Sequence, residues 1–376
     1  MKKIVGGILG ICIVSIFVFS LLAQGDNSPK SFEENRFILY GDVDEDGNIT
    51  SYDAALTLQY AAGLISGWTE DQIIAGDVNA DVNITSYDAA LIIQYSAELI
   101  DEFPCEKVII IYGDTRSQRE IRIQVAQSIA EEDPLIIFHS GDFCRPGHIQ
   151  ETWDDWWDDC EFLVENFEFV SARGNHDTSF DSTGAPIPDI FMDNLAEHIP
   201  PDADWDGENT WFSLNRKQIH FIILDSNQDY GADISEGSPQ YNWFVNDLEN
   251  IGENIRTTIV IMHHPPYSTG PHSSNEEFLQ ETLVPLFEEY EISLVFCGHN
   301  HSYERLYKDG VYYIVAAGGG APLYAQNPAD PDMQYSQLYI MDYHFCELDI
   351  YRDNLLFSAV DTTFTVFDSL IIELDE

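Results

Sequence analysis

The 376-residue chain is poor in positive charge: 16 Lys plus Arg stand against 66 Asp plus Glu, a formal net charge of -50. Such a surface repels polyanions, which excludes nucleic acid as a structural partner. Long apolar runs are equally scarce. Beyond the first two dozen residues no stretch is long and apolar enough to cross a bilayer. The six cysteines (Cys12, Cys105, Cys144, Cys160, Cys297 and Cys346) show no paired metal-binding spacing. An acidic chain that handled a phosphate would therefore need positive charge from bound metal ions.

The one long apolar run is informative. Lys2 and Lys3 precede Ile4 to Ala23, and Ser20 and Ala23 lead into Gln24, Gly25 and Asp26. A charged start, an apolar middle and a small-residue exit are the layout of an export signal, here residues 1–24. The expectation is a secreted or cell-surface protein, held at a membrane only if this segment stays uncleaved. In an oxidising compartment Cys144 and Cys160 are either a disulfide or two free thiols. The composition, 44 % hydrophobic and 13 % aromatic, is enough for a sizeable core.

After a polar linker at residues 25–37, a segment repeats. Gly41-Asp-Val-Asp-Glu-Asp-Gly-Asn-Ile-Thr-Ser-Tyr-Asp53 returns 35 residues later as Gly76-Asp-Val-Asn-Ala-Asp-Val-Asn-Ile-Thr-Ser-Tyr-Asp88. Calcium takes six to eight oxygen ligands from a tight loop. The first copy offers Asp42, Asp44, Asp46, the Asn48 carbonyl and Asp53; the second offers Asp77, Asn79, Asp81, the Asn83 carbonyl and Asp88. Gly47 sits at the sharp turn of the first loop, and Val82 at that of the second. A β-branched residue there is strained if φ is positive, so the second site should be weaker. Each loop runs into a helix, with Leu56, Tyr60 and Leu64, or Leu91, Tyr95 and Leu99, on one face. The two faces can pack on each other. Residues 38–104 resemble a dockerin domain. The resemblance implies two Ca2+ ions and a cohesin partner, with Ser51, Tyr52, Ser86 and Tyr87 at the recognition positions. A calcium-stabilised spacer without a partner is the alternative.

From Val108 the pattern changes. Apolar runs at Val108–Tyr112, Leu135–His139, Phe167–Ala172, Ile219–Leu224, Ile259–Met262 and Ser293–Cys297 alternate with amphipathic stretches such as Gln118–Glu131 and Asn275–Tyr290. Strands alternating with helices predict an α/β fold, closed by strands after about Gln334. Five of the runs end in donors: Gly113-Asp114, Gly141-Asp142, Gly174-Asn175-His176-Asp177, His263-His264 and Gly298-His299-Asn-His301. Carboxylate, amide and imidazole together suit Zn, Fe, Mn or Co rather than calcium.

These motifs, in this order, resemble the calcineurin-like metallophosphoesterase superfamily over nearly all of residues 107–320, within an expected catalytic domain at 105–376. Gly298-His299-Asn300-His301-Ser302-Tyr303-Glu304-Arg305 is most similar to the purple acid phosphatase branch. The resemblance implies a four-layer α/β/β/α sandwich with two transition metals, Fe, Zn or Mn. They would activate a hydroxide that attacks a phosphate ester, most simply a monoester. Diesters or nucleotides are the alternative, and a silent binding or scaffold module is another. Asp142 would bridge the metals. Asp114 and His301 would hold the first, and Asn175, His263 and His299 the second. His176 would protonate the leaving group, Asp177 would orient His176, and His272 would contact phosphate. Two positions depart from the family. Arg116 stands where many members have His, and Arg145 where purple acid phosphatases have the Tyr that colours them. A guanidinium stays protonated and cannot ligate a metal. The tyrosinate is therefore absent, the first metal keeps three protein ligands, and each arginine either grips phosphate or serves a surface or cap role. Gly318-Gly319-Gly320 reads as a tight turn near the site.

Overall fold

The structure, a computed structural model, describes residues 39–178, 190–228, 231–252, 254–272, 276–351 and 354–374. The expected export segment and linker lie outside these residues. No helix among the described residues is long and apolar enough to cross a membrane.

The repeat forms α1 (Ser51–Ala61), α2 (Glu70–Gly76) and α3 (Ser86–Ser96). Thr50 and Thr85 cap α1 and α3. In each, the backbone N–H of the Thr donates to the Asp three residues on, Asp53 at 2.9 Å and Asp88 at 2.8 Å, a reciprocal capping box. Ala54, Val78, Leu91, Ile92 and Phe103 form the small core, with Tyr95 stacked on Phe103. The expected packing face is shorter than the spacing suggests. Both helices stop before Leu64 and Leu99, which are 75 % and 73 % exposed. Gly63 and Glu98 adopt positive φ just past the helix ends and turn the chain away.

A 3-10 turn, Pro104–Glu106, leads into the larger part. There β1 (Ile109–Tyr112), α4 (Arg119–Glu131), β2 (Ile136–His139), α5 (Gln150–Asn166), β3 (Glu168–Ser171) and α6 (Phe191–Leu195) come first. They are followed by β4 (Phe212–Arg216), β5 (Ile219–Ile223), α7 (Pro239–Glu249), β6 (Thr257–Ile261), α8 (Glu276–Thr282), α9 (Val284–Glu289) and β7 (Leu294–Cys297). The chain ends in β8 (Tyr303–Lys308), β9 (Val311–Ala316), β10 (Ser336–Ile340), β11 (His344–Tyr351), β12 (Asn354–Asp361) and β13 (Val366–Glu373). The single helix expected over Asn275–Tyr290 is two, because Pro285 has no N–H to continue the ladder and starts a new helix instead.

Two sheets result, ordered β13-β12-β11-β1-β2-β3 and β10-β8-β9-β7-β6-β5-β4. Strand periodicity builds the four layers. Ile109 and Ile111 of β1 meet Ile259, Ile261, Leu294 and Phe296 between the sheets. Ile110 and Tyr112 face α4 and α5, while Val260, Val295 and Cys297 face α7 to α9. The α/β/β/α architecture is therefore present. Trp153 and Trp156 of α5 are fully buried, and Cys105, Cys144, Cys160, Cys297 and Cys346 are buried free thiols, so Cys144 and Cys160 do not pair.

Ile38–Glu376 packs as one compact unit. Cys105 N–H donates to Val78 O at 3.1 Å, Lys217 N–H donates to Ala80 O at 3.0 Å, and Leu135 packs on the calcium-loop core.

Candidate metal centre

The donors converge at the C-terminal ends of the parallel strands β1, β2, β3, β6 and β7, where α/β sheets place their chemistry. Three of them hold left-handed backbone that non-glycine residues avoid: Asp114 (φ 57), Asp142 (φ 62) and His299 (φ 70). Such strain persists where the surroundings over-determine it. The close approach needs glycine: a Cβ on Gly174 would lie 2.2 Å from Asp142 N, and one on Gly298 2.4 Å from Asp114 Oδ2.

The second metal position is well formed. Asn175 Oδ1 lies 3.0 Å from His263 Nε2 and 3.0 Å from His299 Nδ1, and Asp142 Oδ1 lies 3.5 Å from His263 Nε2. Neighbouring ligands of one ion with bonds of about 2.1 Å stand roughly 3.0 to 3.4 Å apart. His263 Nδ1 is 2.9 Å from the Ser140 carbonyl oxygen, which only accepts, so Nδ1 carries the proton. In the neutral imidazole His263 Nε2 then turns a lone pair toward Asn175 Oδ1, an acceptor facing an acceptor. A cation resolves that conflict, and these residues fit one. Burial holds His299 well below the ordinary histidine range, leaving it neutral for ligation.

The first position differs. Arg116, 6 % exposed, points its guanidinium into it. Its Nε donates to Asp142 Oδ2 at 2.9 Å and its Nη2 to His301 Nε2 at 3.0 Å. The expected ligands Asp114, Asp142 and His301 are brought together, with Asp114 Oδ1 3.3 Å from His301 Nε2. Two of the three face guanidinium N–H groups, which do not fit a metal ion in the same place. Arg116 is therefore not a free phosphate grip. Arg145 is exposed at the rim.

Asp177 corrects an expectation. Its carboxylate does not hold His176; it accepts backbone N–H groups of Asp142 (2.7 Å), Phe143 (2.9 Å) and Gly174 (3.0 Å) and so fixes the Asp142 turn. Burial and the Asp142 charge push Asp177 above the usual carboxylate range. His176 donates its backbone N–H to Asp142 Oδ1 at 2.9 Å, and its half-buried ring reaches within 3.9 Å of Asp142 Oδ2. Burial lowers it to about 4, against the role of a ready proton donor at neutral pH. His272 is exposed, with its ring beside those of His299 and Tyr324.

Several residues support the site in ways the sequence reading did not assign. Asn300 ties down the His272 loop, accepting from His272 N at 3.0 Å and donating to His272 O at 2.9 Å. Tyr324 stacks on His301 with ring centres 4.1 Å apart. His139 accepts from Gly141 N–H at 3.1 Å and braces the Asp142 turn. His264 Nε2 is buried without a hydrogen-bond partner, its ring 4.5 Å from that of His299. Their signal was weak because each comes from a loop or lies beside a stronger motif. Gly319 N–H donates to Gly113 O at 2.8 Å, a turn packed under the site.

The two calcium-type loops are near copies. Asp42 accepts from Asp46 and Gly47 N–H at 3.1 and 2.8 Å, and Asp77 from Asp81 and Val82 N–H at 3.1 and 2.9 Å. Asp42, Asp44 and Asp53 gather oxygens at one point. Val82 does take positive φ, 72° against 85° for Gly47. Burial, with Asp88 and Asp81 nearby, pushes Asp77 up to about 7, which a bound cation would reverse.

The calcineurin-like phosphoesterase family model matches residues 107–303, more than half of the chain. The chain belongs to the calcineurin-like phosphoesterase family. Its residues 40–96 match the dockerin type I domain. Purple acid phosphatase 1 of Ipomoea batatas is 29 % identical over 163 residues, covering 43 % of this chain and 33 % of the relative. "Probable inactive purple acid phosphatase 1" of Arabidopsis thaliana is 25 % identical over 275 residues, covering 64 % of this chain and 43 % of the relative. This calcineurin-like chain thus spans less than half the length of either. A purple acid phosphatase structure from yellow lupin (Lupinus luteus) seeds shares the fold, with a TM-score of 0.58 at 21 % identity over 71 % of this chain and 53 % of that one.

Proposed function

We propose that this protein is an exported, metal-dependent phosphoesterase, hydrolysing phosphate monoesters and carried by a calcium-dependent dockerin module. The observation that carries the reading is the meeting of Asn175 Oδ1 with His263 Nε2 and His299 Nδ1, with Asp142 Oδ1 beside His263 Nε2. A transition ion held there, Zn, Fe or Mn by donor type, supplies Lewis acidity toward a phosphoryl oxygen and acidifies water. The chain's own residues orient the ester. Arg145, exposed beside His176, offers a guanidinium to phosphate oxygens. His176 donates a hydrogen bond near the leaving oxygen; an adjoining phosphate anion raises its pKa and makes it a better acid. His272 lines the same rim.

The dockerin part supports a cohesin partner. Tyr52 and Tyr87, Leu58 and Ile93, and Leu64 and Leu99 are exposed apolar pairs at matching positions of the two repeats. Exposed apolar groups in such a patch mark a docking surface. Two Ca2+ ions would hold that surface in shape.

The test is chelated protein given Zn, Mn, Fe or Co and assayed on a monoester and a diester, with a cohesin pull-down in calcium. Metal-dependent monoester turnover is the expected result. No turnover on either substrate would favour the second reading, a binding module. That reading draws on the guanidinium in the first metal position.

A further inference from the structure

We propose that Arg116 permanently fills the first metal position, so that the centre holds one transition-metal ion beside one built-in cation. The inference rests on the metal reading of the second position.

The geometry is specific. Three protein atoms would face an ion in the first position: Asp142 Oδ2, His301 Nε2 and Asp114 Oδ1. The guanidinium donates to the first two at 2.9 and 3.0 Å. The tautomer of His301 suits this donor. Its Nδ1 lies 2.8 Å from the Pro322 carbonyl oxygen and must carry the proton, which leaves Nε2 as an acceptor. Asp114 Oδ1, buried without a hydrogen-bond partner, contributes negative charge, while Asp114 Oδ2 accepts from His299 N–H at 2.9 Å. Burial works against the Arg116 charge, yet Asp142 and Asp114 outweigh it and hold the guanidinium above its ordinary pKa.

Among the described residues, no other guanidinium or ammonium group is recorded between Asp142 and His301. Arg145, at the position of the missing tyrosine, is exposed and cannot ligate. Arg116 is anchored at its root, its backbone N–H donating to Asp142 O at 3.3 Å. An entering ion would have to expel a buried guanidinium that never deprotonates and leave it beside a second positive charge. Asp142 thereby keeps a bridging role with different partners. Oδ2 serves Arg116, and Oδ1 serves the second position.

The test counts metal. The full chain is stripped, supplied with excess zinc in millimolar calcium to keep the loops filled, desalted, and analysed for zinc per chain. One zinc is expected for the wild type. Two are expected for Arg116→His, which removes the cation and adds an imidazole, and for Arg116→Gly. With manganese, the wild type should give the electron paramagnetic resonance spectrum of an isolated ion, and the variants that of a coupled pair. Two ions in the wild type would overturn this proposal and leave the metal reading standing. No ion in the wild type would overturn both. Folded variants that still take one ion would show that Arg116 is not what excludes the second, and the proposal would fall. If neither variant folds, the wild-type count and spectrum decide alone.

Discussion

The Asp177 carboxylate accepts the backbone N–H of Asp142 at 2.7 Å and thereby sets the left-handed turn that aims Asp142 into the site. One carboxylate ties together the segments that follow β2 and β3 without touching the metal position. Asp177→Asn replaces an acceptor oxygen by an NH2 that faces backbone donors. Loss of such a supporting contact typically costs about 10- to 100-fold in metal affinity. A competition titration against a chelating dye should show that drop while circular dichroism stays native. Unchanged affinity would mean the turn holds itself.

The adjacent histidines His263 and His264 separate cleanly. His263 Nε2 faces Asn175 Oδ1, whereas His264 is held by Ser226 Oγ, 3.1 Å from its Nδ1 and accepting its backbone N–H at 2.9 Å, with its ring against that of His299. His263→Ala should lower zinc affinity by more than about 100-fold, and His264→Ala by no more than about 10- to 100-fold, the scale of a supporting residue. The same dye titration checks both. The reverse order would reassign the ligand.

These two cases show what was legible in sequence. Donors that follow an apolar strand, most of them behind a glycine, are readable because strand ends place them, and the structure gathers the candidates Asp114, Asp142, Asn175, His263 and His299 there. The layers were readable for the same reason, from residues such as Ile109 and Ile110 alternating between cores. Arg116 was not readable as a space-filling cation, because a long flexible side chain can point several ways and only its buried partners decide. Tyr324 and Asn300 come from loops without periodicity. The contact of Asp177 with His176 was implied by the resemblance alone, and in the structure the Asp177 carboxylate is taken up instead by backbone N–H groups of Asp142, Phe143 and Gly174.

Val82 in the second calcium loop adopts φ 72°, where its counterpart is Gly47. A β-branched residue there is strained by about 1 to 3 kcal/mol, partly offset in the unfolded chain if glycine replaces it. The ion-free loop also carries the mutual repulsion of Asp77, Asp81 and Asp88, so calcium binding bears the cost of closing it. Val82→Gly should tighten the second site by roughly fivefold, equivalent to about 1 kcal/mol. Calorimetric calcium titration would resolve it as convergence of two unequal affinities. Affinities that stay apart would remove strain as the cause.

Glu347 on β11 gives a pH dependence with a definite sign. Burial, reinforced by Glu132 and Asp349, pushes it up to about 7. Between its ordinary value of 4.5 and about 7 the folded state holds a proton that the unfolded state has lost. Stability from this group therefore falls as pH rises through that window, and the loss is complete above it. Glu347→Gln should remain more stable than the wild type above pH 7 and lose that advantage toward pH 4.5. Urea unfolding at several pH values measures the difference. A constant offset would mean that the carboxyl is already ionised in the fold.

Arg145 stands exposed next to His176, whose pKa its charge helps to lower after burial and Arg116. It makes no buried contact that folding needs, so its removal should leave stability within about 0.5 kcal/mol of the wild type. If it grips phosphate in the bound state, one charge-assisted hydrogen bond of about 1.5 kcal/mol is lost, or roughly tenfold in KM. Arg145→Ala should therefore raise KM for a monoester about tenfold with kcat little changed, because the contact binds substrate and transition state alike. Arg145→Lys keeps a charge without the fork and should recover part of the affinity. A fall in kcat at constant KM would move Arg145 into the chemical step, and no effect on either would leave it a surface charge.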